Sequence, residues 1–473
     1  SPKWSPDSKM ILFTSSVFPN CYEDSLNKKK IEEKKKQKYK ARVYTSFPIQ
    51  EWDHWLDEKQ THLFVQAITS GSKARDLFTE VAISKLEGFS YASAIWTNDS
   101  KEIIFTASTD MNKLAYQYNT TDLFKVAVAG GDATKLISDK NEYNNPVLSP
   151  DGKYLFCYTN PAYAYTVYNL NKLCRFDWPS MQNRTVISEK LDRPINTFFV
   201  RDNTVYLTAE DQGRDRIMTL PVNGGDAVAV DKAGFGCYTT LSASQTGKLV
   251  YVASFESAMA PPEIVRINAD GTHQAITHFN DEKLAKMDLQ PIETIWSKTS
   301  RGKSIRSLIV KPAGFDPAKK YPLFVVMHGG PAGAWKEAWT YRWNYHLLAK
   351  PGYVLIMTDF TGSTGYGEKF SRDIINDPFR GPANEINEAA ADAIRRFSYI
   401  DSTKQAEGGG SYGGHLANWM EGTTKHYKCL ISHAGAVNSV SQWGTIDGIY
   451  HREVMNGSVP WEQNKVWQEQ NPF

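Results

Sequence analysis

A serine flanked by glycines, Ser411, is the residue in this sequence best placed to do chemistry. Gly409 and Gly413 stand two positions to either side of it, in the pattern Gly-x-Ser-x-Gly. Glycines at this spacing favour a sharp turn from a strand into a helix, because they let backbones pass closely and let the serine adopt a strained conformation. Such a turn holds the hydroxyl out into a cleft, where a base can activate it. The pattern predicts a nucleophilic serine, and an ordinary glycine-rich loop is the alternative.

The segments around Ser411 fit a strand, a turn and a helix. Residues 405–409 are short enough for a buried strand, and residues 414–420 have apolar side chains at helical spacing. Upstream, an apolar run over 323–327 precedes His328-Gly329-Gly330-Pro331, a loop of the type whose backbone N–H faces a nucleophile. Two motifs in this order favour a nucleophilic Ser411 over an ordinary glycine-rich loop.

Composition restricts the class of partner. The 473 residues exceed what one hydrophobic core usually organises, so two domains are expected. With 54 lysines and arginines against 52 acids, the net charge of +2 predicts no attraction to nucleic acid or to anionic membranes. The five cysteines form no C-x-x-C pair, no apolar run is long enough to span a membrane, and no metal or other cofactor is expected. The expected partner is a substrate.

A sequence motif recurs along residues 1–280. Each copy is an apolar strand, a turn of the Pro-Asp-Gly kind and a second apolar strand, repeated every 44 to 53 residues after a longer first interval. This period predicts four-stranded blades of a β-propeller, with a β-sandwich as the alternative. The charged run at 28–36 predicts a solvated helix inserted in one blade, with a basic binding patch as the alternative. The copies start at residues 4, 96, 148, 201 and 245.

Residues 281–473 alternate strands with helices, which predicts a mainly parallel sheet with its site at the carboxyl ends of the strands. Glu407 falls inside the strand before Ser411, where a buried carboxylate needs a partner or a raised pKa. The predicted strands are 304–310, 323–327, 354–357, 405–409 and 430–432, and the predicted helices are 339–348, 386–397 and 414–420.

Three motifs together resemble the prolyl oligopeptidase family of serine peptidases: residues 328–331, Gly-Ser-Thr-Gly-Tyr-Gly at 362–367, and Gly-Ser-Tyr-Gly-Gly at 410–414. Residues 381–387 and 415–419 are most similar to a branch that contains dipeptidyl and acylaminoacyl peptidases. The resemblance covers nearly the whole chain. It implies an N-terminal β-propeller at 1–280 and a C-terminal α/β-hydrolase domain at 281–473, both partial.

The resemblance also implies roles for individual residues. Ser411 is the nucleophile, and the backbone N–H groups of Gly330 and Tyr412 form the oxyanion hole. The family's catalytic aspartate and histidine follow later strands, so we expect them beyond Phe473 and expect the 473-residue chain alone to be inactive and to aggregate. Asp447 and His451, one helical turn apart, are the alternative for a triad.

Several other histidines and aromatic residues lie near the motifs. His433 ends the strand after Ser411, and His328 and His415 are expected to be structural, orienting the oxyanion loop and packing beside the turn. Tyr366 and Trp443 line the substrate pocket, or else pack in a core.

The expected activity is the release of dipeptides from peptide amino termini. The alternatives are an acylaminoacyl peptidase or carboxylesterase on the same scaffold, and a propeller protein with a degenerate hydrolase half that only binds. The resemblance implies a periplasmic or secreted location and allows a homodimer. To count two residues, such an enzyme needs a carboxylate about 7 Å from the nucleophile to bind the substrate ammonium. Four acids beside two tryptophans in one loop are the candidates: Glu51, Asp53, Asp57 and Glu58.

Overall fold

Five four-stranded antiparallel sheets follow one another along the first part of the chain. The computed structural model describes residues 2–162, 167–244 and 247–473. The first sheet has the order β1-β2-β5-β6, and helix α1 and the hairpin β3–β4 lie between β2 and β5. These elements are β1 (Lys3–Trp4), β2 (Met10–Val17), α1 (Asp24–Lys35), β3 (Gln50–Glu51), β4 (His54–Trp55), β5 (Gln60–Ala67) and β6 (Arg75–Asp76).

The next four sheets each use four consecutive strands. The second has β7 (Ser90–Trp96), β8 (Glu102–Ser108), β9 (Asp122–Ala127) and β10 (Thr134–Lys135), and the third has β11 (Asn141–Leu148), β12 (Tyr154–Pro161), β13 (Lys172–Asp177) and β14 (Gln182–Val186). The fourth has β15 (Ile195–Arg201), β16 (Thr204–Asp211), β17 (Arg214–Pro221) and β18 (Val228–Ala229), and the fifth has β19 (Cys237–Ala243), β20 (Tyr251–Ser257), β21 (Ala260–Ile267) and β22 (His273–Ala275).

The recurring turn explains the first hairpin of these sheets. In the third sheet, the Ser149 hydroxyl donates to Oδ1 of Asp151 over 2.7 Å, and the N–H of Gly152 donates to the Ser149 carbonyl over 2.9 Å. Gly152 has φ +70°, a conformation that favours glycine. The predicted hairpins near residues 4, 96, 148 and 201 are confirmed. In the copy that starts at 245, Gln245 and Thr246 lie outside the described residues.

The rest of the chain builds one six-stranded sheet in the order β23-β24-β26-β25-β27-β28. β23, β24 and β26 are antiparallel neighbours, and β26, β25, β27 and β28 run parallel. The strands are β23 (Glu293–Lys298), β24 (Ser304–Val310), β25 (Tyr321–Met327), β26 (Val354–Thr358), β27 (Ile400–Gly410) and β28 (Cys429–His433). The helices are α2 (Asp281–Leu284), α3 (Tyr345–Ala349), α4 (Glu368–Arg372), α5 (Arg380–Arg396), α6 (Tyr412–Thr423), α7 (Ser439–Thr445), α8 (Ile449–Asn456) and α9 (Lys465–Glu469).

All five predicted strands of this region are confirmed, but the helix predicted at 339–348 is wrong in its first half. Only α3 is helical there, because Asn344 is its N-cap and accepts the N–H of Leu347 over 2.9 Å. Trp343, just before this cap, packs its ring against His433 at the end of β28. A long-range aromatic contact therefore holds a stretch that has helical spacing in the sequence.

A buried ionic cluster joins the fourth sheet to the six-stranded part. Nζ of Lys336 lies 3.0 Å from Oε2 of Glu210 and 2.8 Å from Oδ1 of Asp215. Oε1 of Glu210 accepts the hydroxyl of Thr364 over 2.6 Å. Burial lowers the pKa of Lys336, but the two carboxylates outweigh it and raise that pKa above its usual value. The cluster fixes the loop after β25, which carries Lys336, and the loop after β26, which carries Thr364, against the hairpin of β16 and β17.

Within the described residues, no helix is long and apolar enough to cross a membrane.

Candidate active site

Ser411 occupies a strained turn between β27, which ends at Gly410, and α6, which begins at Tyr412. Its φ of +55° and ψ of −118° are a conformation that non-glycine residues rarely adopt. The N–H of Ser411 donates to the carbonyl of His433 over 2.9 Å, which fastens the turn to the end of β28. Ser411 is exposed, whereas Gly410 before it is half-buried and Tyr412 after it is buried. This is the geometry that the Gly-x-Ser-x-Gly pattern predicts.

The glycines of the turn are required by space. A Cβ on Gly409 would lie 2.6 Å from the carbonyl oxygen of Met327, and one on Gly413 would lie 2.3 Å from the same oxygen. A Cβ on Gly414 would lie 2.6 Å from the carbonyl oxygen of His433. The backbone of α6 therefore passes against the ends of β25 and β28, the two strands that flank β27, and no larger residue fits without a shift.

The loop after β25 lies directly against Ser411. A Cβ on Gly329 would be 3.3 Å from Cβ of Ser411 and 3.9 Å from its Oγ. Gly330 follows with φ +125°, in the left-handed region that favours glycine. The structure thus brings together the two motifs that the sequence separates by about eighty residues.

His328 anchors that loop. Its Nδ1 is 2.8 Å from the carbonyl oxygen of Gly329, its Nε2 is 2.9 Å from the hydroxyl of Ser363, and its ring stacks on Phe360. Burial lowers the pKa of His328, so the ring is neutral at physiological pH. The ring orients the loop, as the structural interpretation of His328 predicts.

Tyr412 presents its backbone to Ser411 and its side chain to the core. Its N–H is the first of α6, and the first N–H groups of a helix have no partner within the helix. The buried hydroxyl donates to the carbonyl of Pro378, and the ring stacks on Phe379. The N–H groups of Gly330 and Tyr412 as an oxyanion hole remain a prediction that this arrangement fits.

His415 supports the turn from within α6. Its Nδ1 is 2.7 Å from the carbonyl oxygen of Ser411, and its Nε2 is 2.8 Å from Nε2 of Gln442. Burial and the charge of Arg452 lower the pKa of His415 to about 4. A neutral ring that donates from Nδ1 and accepts at Nε2 satisfies both contacts. Sequence reasoning missed Gln442, because nothing near it in the sequence indicates its contact with His415.

The structure does not assemble Asp447 and His451 with Ser411. Oδ2 of Asp447 accepts the backbone N–H of Trp52 over 2.9 Å, so it is engaged with the β3–β4 hairpin. The ring of His451 packs edge-on against Tyr168. No hydrogen bond to Oγ of Ser411 is made by any histidine in the described parts of the chain, His433 included.

Tyr366 and Trp443 both have partners inside the protein. The Tyr366 hydroxyl donates to Oδ2 of Asp359 over 2.5 Å, and the same oxygen lies 3.1 Å from Nη1 of Arg306. Trp443 donates from its ring N–H to Glu453 over 3.0 Å. Their role in substrate binding stays a prediction, and for Tyr366 the geometry describes a buried hydrogen-bond network.

The four acids proposed to bind the substrate ammonium lie in or beside the β3–β4 hairpin. Glu58 is paired with Lys34 over 2.8 Å, and Oδ1 of Asp57 accepts the N–H of Lys59 over 2.9 Å. Glu51 and Asp53 flank Trp52 at the turn that contacts Asp447. Trp52 and Trp55 are 78% and 54% exposed, so they do not exclude water from these carboxylates.

Glu407 is fully buried in β27, and neither of its carboxylate oxygens has a hydrogen-bond partner among the described residues. Burial, with a smaller effect of Glu421, raises the pKa of Glu407 to about 8. The side chain is therefore mostly protonated at neutral pH, as the sequence predicts for a carboxylate in a buried strand.

Comparison with known proteins places these features in context. The prolyl oligopeptidase family matches residues 339–473. Dipeptidyl-peptidase 5 of Schizosaccharomyces pombe is 26% identical over 450 residues, covering 91% of this chain and 64% of that protein. Dipeptidyl-peptidase 5 of Porphyromonas endodontalis is 28% identical over 480 residues, covering 98% of this chain and 66% of that protein. The chain therefore spans about two thirds of the length of these relatives.

Solved structures share the fold. An acylaminoacyl peptidase in complex with Z-Gly-Gly-Phe-chloromethyl ketone superposes with a TM-score of 0.77 at 18% identity, covering all of this chain and 68% of that one. Porphyromonas gingivalis dipeptidyl peptidase 4 superposes with a TM-score of 0.63 at 17% identity, covering all of this chain and 64% of that one.

Proposed function

We propose that the protein is a serine peptidase of the prolyl oligopeptidase family and that it releases dipeptides from the amino termini of peptides through an acyl-enzyme on Ser411. The observation that carries the proposal is the strained, exposed Ser411 with Gly329 packed against it. A serine whose hydroxyl is free and which faces a loop of backbone donors is arranged for attack on a carbonyl.

In this proposal, Oγ of Ser411 attacks the second peptide carbonyl and the peptide nitrogen leaves with a proton. The N–H groups of Gly330 and Tyr412 stabilise the oxyanion that forms on the attacked carbonyl. Water then hydrolyses the ester and frees the dipeptide. The described residues do not supply the general base, and the family resemblance assigns that role to a histidine.

The five antiparallel sheets are blades of a propeller in this proposal. Consecutive four-stranded sheets joined by short connections support this, as does the fold of the solved relatives. A propeller over the site would admit only short or unfolded chains. Residues 1–280 and 281–473 are then the two domains.

The substrate ammonium binds Glu51 in this proposal, because Asp53 is paired with His54 over 3.2 Å and Asp57 and Glu58 also have cationic or backbone partners. Ion pairs between exposed groups contribute about 0.2–1 kcal/mol. Glu51→Gln in the full-length enzyme should therefore lower kcat/KM for a free-amine dipeptide substrate by up to about fivefold. Asp57→Asn is the matched control, with little expected change.

The same assay separates the related activities. An N-acetylated substrate lacks the ammonium, so the wild-type enzyme should cleave it more slowly than the free amine. Faster cleavage of the acetylated substrate would identify an acylaminoacyl peptidase instead. No cleavage of either substrate, with Ser411 unreactive, would identify a binding protein.

A periplasmic or secreted location completes the proposal. The buried thiols of Cys157 and Cys174 lie 3.3 Å apart on directly opposed positions of β12 and β13. An oxidising compartment favours a disulfide between thiols so placed. Mass spectrometry of non-reduced peptides from the native source tests this, and free thiols at both positions would argue for a reducing compartment.

A further inference from the structure

The segment between β2 and β5 holds the most basic stretch of the chain. Between residues 28 and 42 it has nine lysines and arginines against two glutamates. Helix α1 buries none of its residues, and residues 36–49 form neither helix nor strand. The positive charge of this insert therefore stays at the surface and is not used to build a core.

The insert borders an open cavity of about 650 Å³ between the end of α1, the irregular segment and the β3–β4 hairpin. Tyr39 is 62% exposed and Trp55 is 54% exposed on its wall, while the hydroxyl of Tyr44 donates to the carbonyl of Leu56 over 2.9 Å. Its lining combines cationic and aromatic side chains: Lys34, Lys40, Arg42, Tyr39, Tyr44 and Trp55.

Two of the three cations have no internal counterion. Nζ of Lys34 is held by Glu58 at 2.8 Å. Lys40 and Arg42 are exposed and make no ion pair with any residue that the structure describes. An arginine fork and an ammonium group beside aromatic rings suit a carboxylate attached to an organic chain. Such a site fits one or two carboxylates, and the Glu58 carboxylate at its edge would repel a continuous polyanion.

Contacts connect the insert with the neighbourhood of Ser411. The N–H of Trp52 at the hairpin turn donates to Asp447, which follows α7. Gln442 of α7 contacts His415, and His415 contacts the carbonyl oxygen of Ser411. The insert that forms the cavity is therefore hydrogen-bonded to the segment that contains α7, and this segment supports the turn at Ser411.

We propose that this cavity binds acidic side chains of peptide substrates, at a distance from the cleaved bond. The inference rests on the proposed peptidase function and adds a substrate class, peptides with acidic distal segments. Binding at this second point raises the local concentration of the peptide amino terminus near Ser411.

The experiment compares two 12-residue peptides with the same first six residues, one ending in three aspartates and the other in three asparagines. The full-length enzyme should show a kcat/KM about threefold to tenfold higher for the acidic peptide, as expected for two partly exposed ion pairs. Lys40→Gln with Arg42→Gln should abolish this preference and leave cleavage of a short dipeptide substrate unchanged. The matched control, Lys29→Gln with Lys30→Gln, removes the same charge from α1 outside the cavity and should keep the preference.

Equal loss of preference in both double variants would overturn the cavity as the site, because it would show diffuse attraction by the whole insert. No preference in the wild-type enzyme would also overturn it. If Ser411 proves unreactive, binding of the acidic peptide to Ser411→Ala is measured by isothermal titration calorimetry. Tighter binding of the acidic peptide that depends on Lys40 and Arg42 then supports the cavity, and tighter binding of single-stranded DNA or phosphatidylserine vesicles instead overturns it.

Discussion

Gly413 lies so close to Met327 that a Cβ on the glycine would be 2.3 Å from the carbonyl oxygen of the methionine. This relationship fixes the first turn of α6 against the end of β25. The loop that carries Gly329 begins directly after β25. The contact between Gly413 and Met327 therefore also sets the distance between Ser411 and that loop.

Gly413→Ala should therefore destabilise the protein by about 1–3 kcal/mol and slow the reaction of Ser411 with a fluorophosphonate, because the backbone must shift to admit a methyl group. Gly422→Ala is the matched control in the same helix. Nothing lies within 4 Å of a Cβ there, so that change should be neutral or stabilise by up to about 1 kcal/mol. Denaturant unfolding measures both, and equal stability of the two variants would contradict the crowding argument.

Lys336 is expected to be the cation that makes the burial of Glu210 and Asp215 tolerable. Lys336→Met leaves two carboxylates, whose side chains are 8% and 5% exposed, without that cation. The free energy of unfolding should fall by about 3–5 kcal/mol, the usual cost of breaking a buried pair. Lys286→Met, which breaks an exposed pair with Glu282, should change it by less than about 1 kcal/mol. Similar effects of the two changes would show that the cluster contributes little.

Because Glu407 is protonated in the folded protein, the free energy of unfolding should fall as the pH rises into the basic range. Its folded pKa, about 8, is above the ordinary value of 4.5, so the folded protein binds the proton more tightly. This contribution is present below about pH 4.5 and is lost as the pH rises through 8.

Glu407→Leu removes the titrating group and the unpartnered oxygens together. The variant should be more stable than the wild type, by several kcal/mol at pH 9 and by about 1–3 kcal/mol at pH 5. Thermal unfolding at both pH values measures this. A wild-type protein whose stability relative to the variant is the same at pH 5 and pH 9 would show that Glu407 has a partner for its charge.

Local sequence patterns predict the turn at Ser411, but they do not predict contacts between residues that are far apart in the sequence. Gly409 and Gly413 act within a few residues of the serine, so their spacing alone indicates the strand, turn and helix. The contact of Trp52 with Asp447 spans 395 positions, and no pattern near either residue indicates it. Tyr366 shows the same limit, because its place next to a motif suggested a pocket while its hydroxyl is bonded to Asp359.

The charged run at 28–36 predicts the helix that forms there but not the cavity beside it. The solvated helix is confirmed as α1, since lysines and glutamates favour helix without an apolar face. The cavity next to it depends on Trp55 and Tyr44, which fold back from the hairpin and the segment before it. Their approach is set by tertiary packing and not by local sequence.

The identity of the nucleophile is tested most directly by mapping the fluorophosphonate adduct on the full-length protein and measuring dipeptide release in parallel. We expect the adduct on Ser411, and we expect Ser411→Ala to lose labelling and to lower kcat by about 10⁴-fold to 10⁶-fold with an unchanged unfolding curve. An adduct on a different serine, or dipeptide release by Ser411→Ala at the wild-type rate, would contradict the assignment of Ser411.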